Sequence, residues 1–210
     1  MLQFFSAFIL NECFEYCRPL EELLLISLIQ QRDESAFKYL VETYSDRVYN
    51  TVLSFVQHAE DAEDIAQEVF IEVHQSIQQF KGDSKIYTWI YRIAVSKSLD
   101  HLKSKKRKKR FAFMQSLFGE EGVSLISDKP HFDHPGVQLE NKEHAKVLFY
   151  AISKLAENQQ TAFTLNKVEG LTYAEVAEVM NVSVSSVESL LFRANQNLKK
   201  LLENYYQKNI

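Results

Sequence analysis

Apolar residues recur at three- and four-residue steps in two long stretches of this 210-residue chain and lose that period between them. Such steps gather side chains on one face of an α-helix, whereas a half-buried strand needs a step of two. Only five glycines and three prolines are available for turns, too few for a sheet-built domain. The pattern therefore predicts an all-α chain of two small helical domains joined by a flexible linker. A composition 46% hydrophobic and 25% charged excludes wholesale disorder. No apolar run reaches the ~18 residues of a membrane span.

In the first stretch Asp33 is placed to cap a helix carrying Phe37, Leu40, Val41, Tyr44, Val48, Val52 and Phe55. A second helix is expected from about Glu60 to Gln79, with Ile65, Val69, Val73 and Ile77 as its buried stripe. Gly82 then breaks the pattern, and Ser84 can cap a third helix that carries Trp89, Ile93 and Leu99 and ends near Leu102. A short leading helix, Leu20 to Gln31, packs on these. Residues 103–139 hold three glycines and two prolines without a period, so they read as linker. The domains are accordingly set at 21–104 and 140–210, with 105–139 between them and 1–20 as an N-terminal extension.

Charge is distributed in blocks. Residues 1–80 carry 4 basic and 14 acidic side chains, net −10, while residues 81–110 carry 11 basic and 2 acidic, net +9. Polyanion binding follows local charge density, so the basic block admits nucleic acid despite an overall net charge of −4. A solvated, lysine-rich linker is the other reading of the same block.

Order returns near Glu140, with Val147, Ile152 and Leu155. A helix from Gln160 to Val168 is stopped by Gly170. Thr172 and Glu175 then have capping-box spacing and open a helix of about eight residues through Val176, Ala177 and Met180. After a break at Asn181-Val-Ser183, Ser183 can cap a longer helix with the stripe Val187, Leu190, Leu191, Ala194, Leu198 and Leu201. A short helix, a tight turn and a longer helix make a helix-turn-helix, whose second helix enters the major groove. Off the stripe stand Ser185, Ser186, Glu188, Ser189, Phe192 and Arg193, which with Ser183 can meet base edges and phosphates. The alternative is a plain helical hairpin with a solvated polar face.

Two sets of residues resemble the extracytoplasmic-function (ECF) sigma factors, specificity subunits of bacterial RNA polymerase. One is Asp61-Ala-Glu-Asp-Ile-Ala-Gln-Glu-Val-Phe-Ile71 with Phe80-Lys-Gly and Thr88-Trp-Ile-Tyr-Arg-Ile-Ala94, similar to the family's domain two. The other is Gln159-Gln-Thr-Ala-Phe163, Glu169-Gly-Leu-Thr-Tyr-Ala-Glu-Val-Ala177 and Val187-Glu-Ser-Leu-Leu-Phe-Arg-Ala194, similar to its domain four. The resemblance implies that Asp61, Asp64, Glu68 and Glu72, with Gln67, form a face that docks on the polymerase β′ coiled coil. Solubility, or pairing with the basic block inside the chain, would also account for that row of carboxylates.

The resemblance further implies that Phe80, Lys81, Ser84, Lys85, Trp89, Arg92, Ser96 and Lys97 serve the promoter minus-ten element, where a base is extruded. Rings such as Phe80, Tyr87, Trp89 and Tyr91 can stack on bases, while the cations track phosphates. Trp89 reads equally as core. Ser183, Ser185, Ser186, Glu188, Ser189, Phe192 and Arg193 would read the minus-thirty-five element, and domain four would also touch the β flap. This chain departs from common family residues at Ser96, Leu155-Ala156, Gln160 and Glu188, which bears on base preference.

The implied function is promoter-specific initiation by core polymerase, in the cytoplasm, with no chemistry, cofactor, metal or small-molecule substrate of the chain's own, and with an anti-sigma factor as a further partner. Free chain is expected to bind promoter DNA poorly. A free-standing helix-turn-helix regulator is the runner-up, and a helical metal hydrolase using Glu68, Glu72 and histidines is a distant third. His131-Phe-Asp-His134 has metal-ligand residue types without further ligands at suitable spacing. Cys13 and Cys17 read as two free thiols in a reducing compartment. The apolar Met1 to Leu10 lacks the preceding basic residues and following cleavage site of a secretory signal.

Overall fold

The computed structural model describes residues 22–117 and 142–208, so the N-terminal extension with Cys13 and Cys17, and the His131–His134 motif, lie outside the described residues. These residues form helices without a strand among them: α1 (22–30), α2 (Glu34–Val56), α3 (Ala59–Ser76), α4 (Ile86–Leu117), α5 (Lys142–Ser153), α6 (Glu157–Phe163), α7 (Tyr173–Met180) and α8 (Val184–Lys208). A 3-10 turn, Ile77–Gln79, follows α3, and a π-helical turn, Thr164–Val168, follows α6.

Local signals start α2 as expected: the Asp33 side chain accepts a hydrogen bond of 2.8 Å from the Ala36 N–H. Helices α1 to α4 then enclose a core that includes Ile29, Leu40, Val52, Phe55, Val69, Ile77 and Ile90. Burying each such side chain is worth about 1.5–3 kcal/mol over leaving it in water. Thr51, Ser54 and Ser98 sit in this interior without penalty, because each hydroxyl donates to the carbonyl four residues back.

Helix α4 differs from expectation in three ways. Its start is capped from a distance: the Glu22 carboxylate of α1 accepts the Ile86 N–H at 2.5 Å, and Ser84 lies in the loop before. Its buried apolar residues are Ile86, Ile90, Tyr91, Ala94 and Val95, while Trp89, Ile93 and Leu99 are half-buried flanks. This helix touches α2, α3 and α7, so its covered arc is wider than one stripe. It also continues to Leu117. Lysine and arginine are good helix formers, so the basic run extends the helix although it has no apolar face to bury; residues 106–111 are exposed.

In the second half, the helix expected from Gln160 begins at Glu157, where Ala156 holds the extended N-cap conformation without a side-chain cap. It widens into the π turn at Thr164 and closes at Gly170, whose φ of +75° suits glycine. The Leu171 N–H reaches back to the Leu165 carbonyl at 3.0 Å. Phe149, Ile152, Leu165, Val176, Val187, Leu191 and Leu198 are buried between α5 and α8.

The two halves pack on each other through α7 against α4 and the π turn against α2. At a further contact the Gln57 amide donates to the Phe149 carbonyl at 2.6 Å, in the interior. Gln57 ends α2 at a φ of 56°, a strained value for a residue with a Cβ, and that buried hydrogen bond offsets part of the strain.

Candidate nucleic-acid and partner interfaces

Helix α3 separates its acidic row into two groups. Asp61 faces α4: its carboxylate lies 3.1 Å from Lys105 Nζ, 3.3 Å from His101 Nε2 and 3.7 Å from His58 Nδ1. Partial burial pushes the Asp61 carboxyl up, but the Lys105 hydrogen bond and charge, with the two histidines, bring it below its ordinary value. Glu68 and Glu72 reach Lys97 of α4 at 3.9 and 3.6 Å. Asp64 and Gln67 point outward with Glu68 and Ile71, which is 56% exposed. Ile71 was legible as an outlier, because it stands off the stripe of Ile65, Val69 and Val73 on the same helix.

The loop between α3 and α4 carries Lys81 exposed and Ser84 partly so, around Gly82 at φ +78°. Phe80 is buried, its ring 5.2 Å from that of half-buried Trp89, so it anchors the loop from below. Tyr91 is buried too, and its hydroxyl is pushed up to about 12 by that burial and by the nearby Glu169 carboxylate. Along α4, Ser96 is exposed and Lys97 is turned to the α3 carboxylates.

Lys85 and Arg92 are exposed, yet both reach across to α7. Lys85 Nζ lies 3.5 Å from Glu175 Oε1 and 3.3 Å from the Tyr87 hydroxyl, which itself donates to Glu175. Arg92 donates to the Glu178 carbonyl at 2.6 Å. Sequence reasoning did not foresee Glu175 here, because its spacing from Thr172 marks it as a local cap. It is that as well: Glu175 accepts from the Thr172 N–H at 2.9 Å and Thr172 accepts from the Glu175 N–H at 3.3 Å. Partial burial pushes the Glu175 carboxyl up. The Tyr87 and Thr172 hydrogen bonds and the Lys85 charge outweigh it and hold the group at about 2.

Helices α7 and α8 are joined by Asn181, at φ 53°, Val182 and Ser183. The Ser183 hydroxyl accepts from the Ser186 N–H at 3.2 Å and lies 3.0 and 2.8 Å from the hydroxyls of Ser185 and Ser186. With Val187, Leu191, Ala194 and Leu198 buried, α8 turns Ser185, Glu188, Ser189, Phe192 and Arg193 outward, and Ser186 partly so. Phe192 is 64% exposed, an apolar ring in water on the face a helix-turn-helix presents to DNA. Arg193 is steadied by a 3.1 Å bond from its Nε to the Ser189 carbonyl. Elsewhere on α8, a groove of about 620 Å³ is floored by Leu148, Phe163, Leu198 and Leu202, which periodicity alone had counted as core or left aside.

Glu68 and Glu72 face a lysine, and His74 of the same helix lies edge-on to Phe37 at 4.9 Å. Among the described residues no three His, Cys, Asp or Glu side chains gather as metal ligands. A helical bundle with a polar-faced helix, joined to a helix-turn-helix with an outward reading face, defines a DNA-binding transcription protein of two helical parts.

Comparison with known proteins narrows that class. Sigma-70 region 2 matches residues 40–108 and sigma-70 region 4 matches residues 146–198. RNA polymerase sigma-H factor of Pseudomonas aeruginosa is 33% identical over 181 residues, 85% of this chain and 92% of the relative. ECF RNA polymerase sigma-E factor of Haemophilus influenzae is 33% identical over 190 residues, 90% of this chain and 96% of the relative. The fold is shared with CnrH, solved with the cytosolic domain of CnrY, at a TM-score of 0.63 and 20% identity over 87% of this chain and 97% of that one. It is shared also with RpoE of Bartonella quintana, solved with the anti-sigma factor NepR, at a TM-score of 0.56 and 17% identity over 80% of this chain and 96% of that one. The chain belongs to the ECF sigma factor family.

Proposed function

We propose that this chain binds core RNA polymerase and directs it to promoters by reading the minus-ten and minus-thirty-five elements and nucleating melting. The observation that carries this reading is the pairing of two unlike surfaces in one chain. The outward face of α8 suits duplex DNA, and the exposed face of α3, Asp64, Gln67, Glu68 and Ile71, suits a basic, partly apolar protein. A free-standing operator-binder needs only the first. Asp64 and Glu68 carry the contact to the β′ coiled coil, with Gln67 beside them and Glu72 and Asp61 orienting α4 from the same helix. The groove at Leu148, Phe163, Leu198 and Leu202 takes the β flap.

Lys81, Ser84, Lys85, Arg92, Ser96 and Lys97 serve the minus-ten strand, with Phe80 and Trp89 as the stacked support of the loop. Ser183, Ser185, Ser186, Glu188, Ser189, Phe192 and Arg193 serve the minus-thirty-five duplex. The polymerase performs the chemistry, in the cytoplasm where it transcribes. No described helix is long and apolar enough to cross a membrane. An anti-sigma factor is a further partner, as NepR is for RpoE of Bartonella quintana. The domains run 21–104 and 140–210, with α4 carrying the first into the connecting segment.

The test is initiation by core polymerase plus the purified chain on a fragmented-genome template. Transcripts from a defined set of sites, lost when Asp64 and Glu68 are both changed to Lys, are the expected result. A specific duplex shift by the chain alone, with no holoenzyme, would instead assign it as a free-standing regulator.

A further inference from the structure

We propose that the C-terminal arm of α4 is a further DNA contact, in which Lys106, Arg107 and Arg110 grip the phosphates of the paired duplex upstream of the minus-ten element. The position along the promoter rests on the sigma-factor reading; the duplex-gripping face does not. One exposed line runs along α4: Arg92, Ser96, Asp100, Lys103, Arg107 and Arg110 follow one another at three- and four-residue steps. The start of that line, Arg92 and Ser96, belongs to the face given to the minus-ten strand. Its end is a trough of about 660 Å³ with a wholly charged lining, Asp100 at the inner end and then Lys103, Lys106, Arg107 and Arg110. Glu157 engages Lys103 at 3.1 Å, so the outer three cations carry the proposal.

Like charges three and four residues apart on a helix repel, so this face gains from a polyanion laid along it. The lining selects which polyanion. A single strand is held by aromatic stacking and a protein partner by apolar anchors, and the trough offers neither. A rigid helix with two guanidinium forks suits a regular phosphate backbone. The direction of α4 gives the place. The helix starts beside the loop that serves the melted strand and leads into the segment joining the minus-thirty-five reader. From Ile86 to Arg107 it covers about 32 Å at ~1.5 Å per residue, roughly nine base pairs of duplex at ~3.4 Å each. The arm therefore lies over the paired spacer between the two elements.

The face is tested with the full chain and a fluorescent duplex of random sequence, about 30 base pairs long, between ~50 and ~200 mM salt. Arg107→Gln and Lys108→Gln each remove one exposed charge, but Lys108 lies outside the trough. Glutamine is a comparable helix former, so the arm itself is kept. Arg107→Gln should make the salt slope shallower by about 1, and Lys106→Gln, Arg107→Gln and Arg110→Gln combined by about 3, while Lys108→Gln should match wild type. Equal changes in Arg107→Gln and Lys108→Gln would mean diffuse charge and would refute a gripping face. A larger effect on a single strand of the same length would overturn the duplex assignment. Placement is tested with holoenzyme on a promoter found by initiation. The combined variant should bind about tenfold more weakly where the spacer is paired, and as wild type where the duplex stops at the upstream edge of the minus-ten element. Equal losses on both fragments would overturn the placement. If the duplex slopes change as stated but wild type never initiates with core polymerase, the sigma reading fails and the gripping face stands.

Discussion

Replacing Asp61 by Asn separates the two jobs that a carboxylate on α3 can do. Asp61 lies 3.1 Å from Lys105, 3.3 Å from His101 and 3.7 Å from His58, and its side chain is 25% exposed against 31% for Lys105. An exposed pair is worth about 0–1 kcal/mol and removal of one partner of a buried pair costs about 3–5 kcal/mol. A partly buried, multiply paired carboxylate falls between, so Asp61→Asn should destabilise the first domain by about 1–2 kcal/mol after solvent screening. The chain has one tryptophan, Trp89, packed on Phe80 in that domain, so urea unfolding followed by its fluorescence reads this domain selectively. The loss should depend on pH in one direction. The Asp61 carboxyl is lowered from 3.8, so its contribution is present above that value and disappears as pH falls through the lowered one. Wild type and variant should then converge in acid. Core polymerase affinity should change about twofold or less in Asp61→Asn and about tenfold in outward-facing Asp64→Lys. Equal urea midpoints at neutral pH, with polymerase affinity lost as in Asp64→Lys, would refute the assignment of Asp61 to internal pairing.

Glu22→Ala should cost about 1 kcal/mol by uncapping α4, whereas Ser84→Ala should leave the Trp89-detected urea midpoint unchanged. Gly170→Ala should destabilise the second half by about 1 kcal/mol through backbone strain alone, because a Cβ there meets nothing within 4 Å; thermal unfolding of the variant checks this. Phe192→Ala should leave stability within about 0.5 kcal/mol while sharply reducing initiation from promoters that keep their minus-thirty-five element. Loss of folding in that variant would place the ring in the core and contradict its 64% exposure.

Features decided within a few residues were legible before any coordinates. Asp33 and Ser183 cap their helices, Thr172 and Glu175 form a capping box, and Gly170 takes the positive φ that ends its helix. The stripe of α3 is buried as its spacing required, and α8 turns Ser185, Glu188, Ser189, Phe192 and Arg193 to solvent. The end of α4 was not legible, since apolar periodicity reports burial of an apolar stripe, and the basic run makes its contacts through charge, as Lys105 does with Asp61.

The sequence by itself determined which segments coil and which face of each seeks the interior, because backbone capping and side-chain spacing act over three to seven residues. Only the tertiary structure decided that Glu22 caps a helix 64 residues away, that Asp61 turns inward to Lys105, and that Glu175 holds Lys85 and Tyr87 as well as its own helix start. Those assignments depend on how helices cross and which ends meet. A carboxylate can satisfy a local N–H, a distant lysine or water at similar cost, so packing of the surrounding apolar faces selects among them.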